Sequence, residues 1–304
     1  MLKAYIVTAY HKVHLLNGFL EQLLKDPEAD VYLHIDKRHD DLKKDVIKND
    51  RIFYADAQYE INWGSDELLK VILALYHQIL ESRKAYEYVI VTTGQDVMVR
   101  RGLDDFLKAH KGQVFIDAFY SEAKNKYKRA ILMHKWPAIY KRKYDFKFHP
   151  VRIMRSTRIR LFCLLGKRFE KKVDYDVDSV TFYYDFHWNA MPLEAIRWLC
   201  QFVDEHPGYW AIFDGSFMCE EAFFTTTIKL GPYADRIIME GNRSQSLTYT
   251  GETVNNHPVV LTMKDIEDIE NSGRFFARKF DDAVDERVIE YFRKETLDPK
   301  TAKE

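Results

Sequence analysis

The chain is poor in the residues that punctuate or staple small folds, with 12 glycines, 8 prolines and 3 cysteines in 304 residues. So little glycine and proline excludes a collagenous or low-complexity chain, and 46% apolar with 14% aromatic content excludes a disordered one. Cys163, Cys200 and Cys219 are odd in number and form no CxxC pair, so no disulfide framework is expected and a reducing cytoplasm is the expected setting. No apolar run reaches the ~18 residues that read as a membrane span. The opening MLKAYIVTAYHKVHLL returns to polar residues too early for a signal peptide. GxGxxG, GxxxxGK[ST], HExxH and paired-cysteine zinc spacings are also missing, which argues against dinucleotide, P-loop and zinc chemistry.

An excess of one charge sign is likewise absent. Lys plus Arg is 46, Asp plus Glu 47 and the formal net charge −1, so general attraction to nucleic acid is not expected. The balance is regional, however. Residues 124 to 172 hold 17 basic and two acidic residues, Asp145 and Glu170, which leaves 29 basic and 45 acidic residues elsewhere. Tyr127, Trp136, Tyr140, Tyr144 and Phe146 are interleaved with those cations. The segment suits a solvated face, or a peripheral contact with an anionic acceptor or membrane acting over ~10 Å. Nucleic acid ranks last, because nothing else in the chain resembles a nucleic-acid module.

What is present is an α/β alternation. Lys3 to Ala9 reads as a buried strand, Leu15 to Leu24 as a helix, Val31 to Asp36 as a second strand ending on a carboxylate, and Arg51 to Tyr54 as a third. Ser65 is expected to cap a helix that buries Leu68, Leu69, Ile72, Leu75 and Ile79. Tyr86 to Thr92 is another strand, ending at Gly94-Gln95-Asp96. Further helices are expected at Leu193 to Asp204, from about Glu220, and at Asp285 to Lys294. Polar clusters at the ends of such strands line one sheet edge, where ligands bind in open α/β folds.

The acidic ladder Asp174-x-Asp176-x-Asp178 lacks the Gly and Glu of an EF-hand loop, where Ser179 and Asp185 stand instead, and suits a solvated turn. As a DxD metal clamp it would be misplaced, since the strand end TTGQD offers the single carboxylate Asp96. No metal and no cofactor are expected.

Seven segments occur in a telling order: AYIVTAYHK (4 to 12), YLHIDKR (32 to 38), NWGS (62 to 65), VIVTTGQDVMVR (89 to 100), MCEEAFFTTTI (218 to 228), HPVVLTMKD (257 to 265) and FARKFD (276 to 281). Together they resemble glycosyltransferase family 14, the Core-2/I-branching enzymes, which includes β-1,6-N-acetylglucosaminyltransferases and peptide xylosyltransferases. The resemblance implies a single glycosyltransferase-A-like (Rossmann-like) domain over 1–304, with a mixed central sheet flanked by helices. In that domain 1–120 would be the nucleotide-sugar half, 121–173 a basic insertion and 174–304 the acceptor and catalytic half. It implies an inverting transfer of a GlcNAc- or xylose-like sugar from a UDP-sugar to a glycan or lipid-linked glycan. It also implies that no DxD-bound metal is used. The absence of a Golgi-type anchor in this sequence points to bacterial surface-polysaccharide synthesis.

By resemblance, Glu221 is the base. An inverting transfer needs one group to take the acceptor proton. Glu220 and Glu221 equally suit the first turn of a helix, where the dipole favours acids. Arg278 and Lys279 would meet the leaving diphosphate in place of a metal. A further arginine that some relatives carry is replaced here by the neighbourhood Asn255, Asn256 and His257. Thr8, Ala9, His11, Asp36, Trp63 and Gly64 are the expected donor contacts, with an ordinary loop histidine as the alternative for His11. Asp96 and Trp188 are the expected acceptor contacts. A degenerate carbohydrate-binding or assembly subunit is the second reading, and the presence of Glu221, Arg278 and Lys279 argues against it.

Overall fold

The computed structural model describes residues 1–144, 146, 148–254 and 257–297. Asn255 and Asn256 lie outside the described residues. In chain order the first half runs β1 (Lys3–Ala9), α1 (Val13–Leu24), β2 (Ala29–Ile35), β3 (Ile52–Tyr54), α2 (Glu67–Glu81), β4 (Tyr88–Thr93), β5 (Val97–Met98), α3 (Leu103–Ala109) and β6 (Phe115–Phe119). The second half runs α4 (Glu122–Leu132), α5 (Pro150–Leu165), β7 (Tyr184–Pro192), α6 (Leu193–Glu205), α7 (Pro207–Phe213), α8 (Phe223–Ile228), β8 (Thr248–Tyr249), β9 (Thr253–Val254), β10 (His257–Pro258), α9 (Ile266–Asn271), β11 (Phe276–Ala277) and α10 (Glu286–Leu297).

One mixed sheet organises the molecule, in the order β3-β2-β1-β4-β7-β6. β1 pairs in parallel with β2 and β4, β2 pairs in parallel with β3, and β7 is antiparallel to both β4 and β6. Helices on both faces explain why β1 reads as an unbroken apolar run. Ala4 and Ile6 pack toward α2, α6 and α8, whereas Tyr5, Val7 and Ala9 pack toward α1. Leu69, Ile72, Tyr76 and Ile79 of α2 are fully buried, and an aliphatic side chain buried in this way contributes ~1.5–3 kcal/mol. The mixed α/β architecture with flanking helices is therefore the one expected.

Two local expectations are corrected. Ser65 does not cap α2, because its hydroxyl donates to the Asn62 carbonyl at 2.6 Å and Asp66 is the residue at the N-cap. Glu220 and Glu221 do not begin an α-helix either. They form a 3₁₀ turn, Cys219–Glu221, which Ala222 (φ −150°) separates from α8.

The basic segment is folded rather than loose. Ser121 caps α4 by accepting the Lys124 N–H, and Pro150 opens α5, where its missing N–H costs nothing. The two helices enclose a small core of Ile131, Trp136, Tyr140, Ile159 and Phe217.

A second small sheet returns the C-terminal part to the site edge. β11 pairs antiparallel with β5, Ala277 opposite Val97, and parallel with β8. This register sets Arg278, next after β11, beside Asp96, the residue before β5.

Candidate functional site

At the carboxyl edge of the parallel strands the chain ends are tied to one another. The Ala9 carbonyl accepts the Asp36 N–H at 2.9 Å and the Thr8 carbonyl accepts the Gly94 N–H at 2.9 Å. Thr8 and Ala9 thus lie where the sequence placed them, between the ends of β2 and β4.

Asp36 is buried at this edge with both oxygens occupied. Oδ1 accepts from the Arg38 backbone and Nε, and Oδ2 from Arg38 Nη2 at 2.8 Å and the Ile61 N–H at 2.9 Å. Burial alone would raise this carboxyl, but the Arg38 and Ile61 bonds outweigh it and bring it down to about 2. The expected donor contact is in this structure a fastener for the loop 36–61.

Asp96 is corrected in the same way. It is fully buried; Oδ2 takes the Thr93 N–H at 2.9 Å, while Oδ1 takes the Thr93 hydroxyl at 2.6 Å and Arg278 Nε at 3.1 Å. With no surface it cannot face an acceptor. It locks the C-terminal segment onto the end of β4 instead, helped by Phe280 N–H to the Gln95 carbonyl at 3.1 Å. Trp188 is also buried, and the Arg278 guanidinium stands 4.0 Å from its ring centroid, so that face is covered rather than offered to a sugar. The neighbouring His187 is held neutral, burial and then Arg278 pushing its ring down to about 3.

Beyond Arg278 the cations are less compensated. Among the described residues the two Nη atoms of Arg278 and the Nζ of Lys279 have no hydrogen-bond partner. The Lys279 ammonium is held below its ordinary range by burial, then by Arg278 and Lys143. His11 stacks on Tyr10 at 3.9 Å, and burial, then Lys12 and Lys279, pushes its ring down. Strand end β1 and the segment 278–279 therefore form one positively charged corner. Lys12 differs, since Asp281 and Asp282 neutralise it at 2.6 and 2.9 Å.

At the start of β7, around Tyr184 and Asp185, lies a carboxylate cluster. Glu221 Oε2 accepts from Lys128 Nζ at 3.0 Å, and that ammonium, from α4, is buried and stands 4.5 Å from the Tyr184 ring centroid. Asp185 and Glu220 share this field. Asp185 Oδ2 accepts the Thr225 N–H at 2.6 Å, while Asp185 Oδ1 and Glu220 Oε2 are buried without partners. Burial raises Asp185 to about 7, and burial followed by the nearby Glu221 raises Glu220. One ammonium serves three acids, and Glu221 is the one that holds it. Its Oε1 has no hydrogen bond among the described residues and its side chain is 18% exposed.

Trp63 and Gly64 border this turn. The Gly64 carbonyl accepts the Met218 N–H at 3.0 Å. Gly64 has φ +70°, and a Cβ there would lie 2.5 Å from Phe217, so both conformation and space require glycine. Trp63 packs edge-on against Phe217 at 5.7 Å, and Arg155 of α5 stands 4.7 Å from its ring centroid.

The acids predict a pH effect. Because Asp185 and Glu220 keep protons that the unfolded chain releases, the native state loses stability as pH rises from the ordinary carboxylate range through about 7 for Asp185 and about 8 for Glu220. Glu220→Gln removes one such cost, so its stability relative to the native sequence should improve progressively from about pH 5 to about pH 8 and level off above it. The readout is the difference between the two Tm profiles, since the histidines held down, His34 and His187, act oppositely below neutrality.

Lys128 and Asp185 were not singled out from the sequence. The available signal for Lys128 was its helical spacing to Ile131 and Leu132, which puts a lysine on the buried stripe of α4. Among the described residues no three His, Cys, Asp or Glu side chains converge to hold a metal ion. In the acidic ladder, Asp178 pairs with Lys167 and with Arg129, and Asp176 accepts the Asp178 N–H.

No family model matches the chain. It is 29% identical over 103 residues to Xylosyltransferase oxt of Drosophila pseudoobscura pseudoobscura, and 29% over 103 residues to that of Drosophila melanogaster. Each match takes in 32% of this chain and 12% of the relative's length. Among solved structures, a 4-diphosphocytidyl-2C-methyl-D-erythritol synthase from Anaerococcus prevotii aligns at 15% identity over 67% of this chain and 77% of its own, TM-score 0.32. Mouse xyloside xylosyltransferase 1 in its apo form aligns at 10% identity over 76% of this chain and 83% of its own, TM-score 0.30.

Proposed function

We propose that this chain is a glycosyltransferase that moves a sugar from a UDP-sugar to a hydroxyl of a glycan, with inversion at the anomeric carbon. One juxtaposition carries the reading. A carboxylate with one oxygen fixed by a buried lysine, Glu221, and a cationic corner of Lys279 and the outer edge of Arg278 both border the first half of β7, Lys128 standing against Tyr184 and Arg278 against Trp188. The 29% match over 103 residues to proteins named xylosyltransferase supports a glycosyltransferase, and the sugar proposed is a pentose or an N-acetylhexosamine.

In this reading the acceptor oxygen attacks the anomeric carbon, its proton passes to Glu221 Oε1, and the bond from that carbon to the diphosphate breaks. The electron pair leaves on the phosphate oxygen, where Lys279 and Arg278 meet the developing charge. Lys128 keeps the Glu221 carboxylate aimed, and Asp96 keeps Arg278 in place. Protein cations stand where a divalent ion would otherwise neutralise the leaving group, so the proposed reaction needs no metal.

The test is release of UDP from a panel of UDP-sugars, with glycan acceptors, in buffer containing EDTA. Acceptor-dependent release that EDTA does not reduce is expected. Activity that disappears in EDTA and returns with Mn²⁺ would overturn the metal-free mechanism, and no release from any donor would return the chain to a binding role.

A further inference from the structure

α5 is apolar toward the core, where Val151, Ile159 and Phe162 pack, and apolar again on its outward arc. Of the fourteen large apolar side chains that stand exposed among the described residues, nine fall between Ile139 and Phe169. Five are on α5, where Ile153, Met154, Leu161, Leu164 and Leu165 occupy the outward arc, Leu164 being 82% exposed. Two of its arginines, Arg155 and Arg158, turn inward over aromatic rings, while Arg160 is exposed. Arg155 lies over Trp63 and Phe217, and Arg158 lies over Trp136, Tyr140 and Phe162, at 4.7 to 5.7 Å from the ring centroids. A helix facing only water would confine its apolar side chains to the core stripe and turn its cations out.

Basic side chains border the outward stripe. Arg142, Arg160, Arg168 and Lys172 are exposed around it, while Lys167 pairs with Asp178, in the segment that holds 17 basic and two acidic residues. Apolar side chains projecting from a cationic surface match a bilayer with anionic headgroups, the chains entering the headgroup boundary and the cations meeting the phosphates. A second copy of the chain is a poor occupant, because it would bring two such cationic faces together. Nucleic acid would leave Leu161 and Leu164 without a partner. No helix among the described residues is long and apolar enough to cross a membrane, so the contact is one of lying on the surface.

We infer that the described residues between Ile139 and Phe169 form a docking face for an anionic phospholipid surface, with the outward stripe of α5 as its apolar element. The inference stands independently of sugar transfer. If both hold, the Arg155–Trp63 contact joins the docked helix to the rim of the Glu221 turn, and the acceptor is a glycan held at a lipid surface.

The experiment is sedimentation of the whole chain with vesicles of phosphatidylcholine alone and of phosphatidylcholine mixed with phosphatidylglycerol. Binding to the mixed vesicles is expected, weakened by added salt, and Leu161→Glu with Leu164→Glu should reduce it by ~10-fold or more. Arg160→Gln with Arg168→Gln should weaken it by ~10-fold while leaving the residual binding less salt-sensitive. Both pairs are exposed, so an unchanged circular dichroism spectrum and Tm show that the fold is retained. Equal recovery of the native sequence and the Leu pair variant, equal binding to both vesicle types, or no vesicle binding would overturn the inference. So would a dimer dissociated by the Leu substitutions, or tight RNA binding, if either occurred without vesicle binding. Vesicle binding without UDP-sugar turnover would leave this inference standing and sink only the proposed reaction.

Discussion

Glu221→Gln should lower acceptor-dependent UDP release by about three orders of magnitude, within the 10²–10⁴ range of general-base contributions, while UDP affinity changes little. The substitution keeps an oxygen that can accept from Lys128 and keeps the 3₁₀ turn, so the change is confined to proton-accepting power. The diphosphate contacts assigned to Arg278 and Lys279 belong to the C-terminal segment packed on the end of β4, a different part of the chain. Steady-state rates with titration calorimetry of UDP on the same preparation separate the two effects. A rate within a few-fold of the native sequence would remove Glu221 from the role of base.

Asp96→Ala should cost the fold about 3–5 kcal/mol, as expected when one partner of a buried ion pair is removed and the other is left uncompensated. Arg278 keeps only 12% of its side chain exposed, and Asp96 is its carboxylate partner at 3.1 Å. The lost carboxylate also releases the Thr93 N–H and hydroxyl. Urea unfolding should show a lower midpoint, and UDP should bind more weakly because residues 278–279 are no longer pinned to β4. A stability loss under about 1 kcal/mol would show that the segment is held by Phe276 and Phe280 packing instead.

Much of the scaffold was legible because the parallel strands are buried on both faces. β1 and β4 carry the apolar runs Ala4–Val7 and Tyr88–Val91, β2 breaks its run only at Asp30 and His34, and α2 and α6 show one clear apolar stripe. β7 was not legible. Its sequence Tyr184–Pro192 mixes Asp185, His187 and Asn189 among aromatics, since its first half lines the site and only its second half is uniformly buried. α4 and α5 were hidden for another reason: their lysines and arginines read as a charge run, whereas Lys128, Arg155 and Arg158 are packed against rings.

The site was legible in position more than in role. Carboxylates at strand ends read as ligand contacts, yet Asp36 and Asp96 are sealed by Arg38 and Arg278. Those partners stand two and 182 residues away in sequence, and pattern alone does not reveal such pairing. The converse holds for the Glu221 environment. Lys128 and Asp185 lie 93 and 36 residues from Glu221, and only the path of β7 beside α4 brings the three together.

The central claim is that Glu221 takes the acceptor proton at this sheet edge. Chemical rescue tests it most directly, by measuring glycan product formed by Glu221→Ala as formate is added. The variant should be nearly inactive alone, and its rate should rise with formate and saturate, as an external carboxylate occupies the space beside Lys128. A Glu221→Ala variant that forms product at the native rate without formate would contradict it.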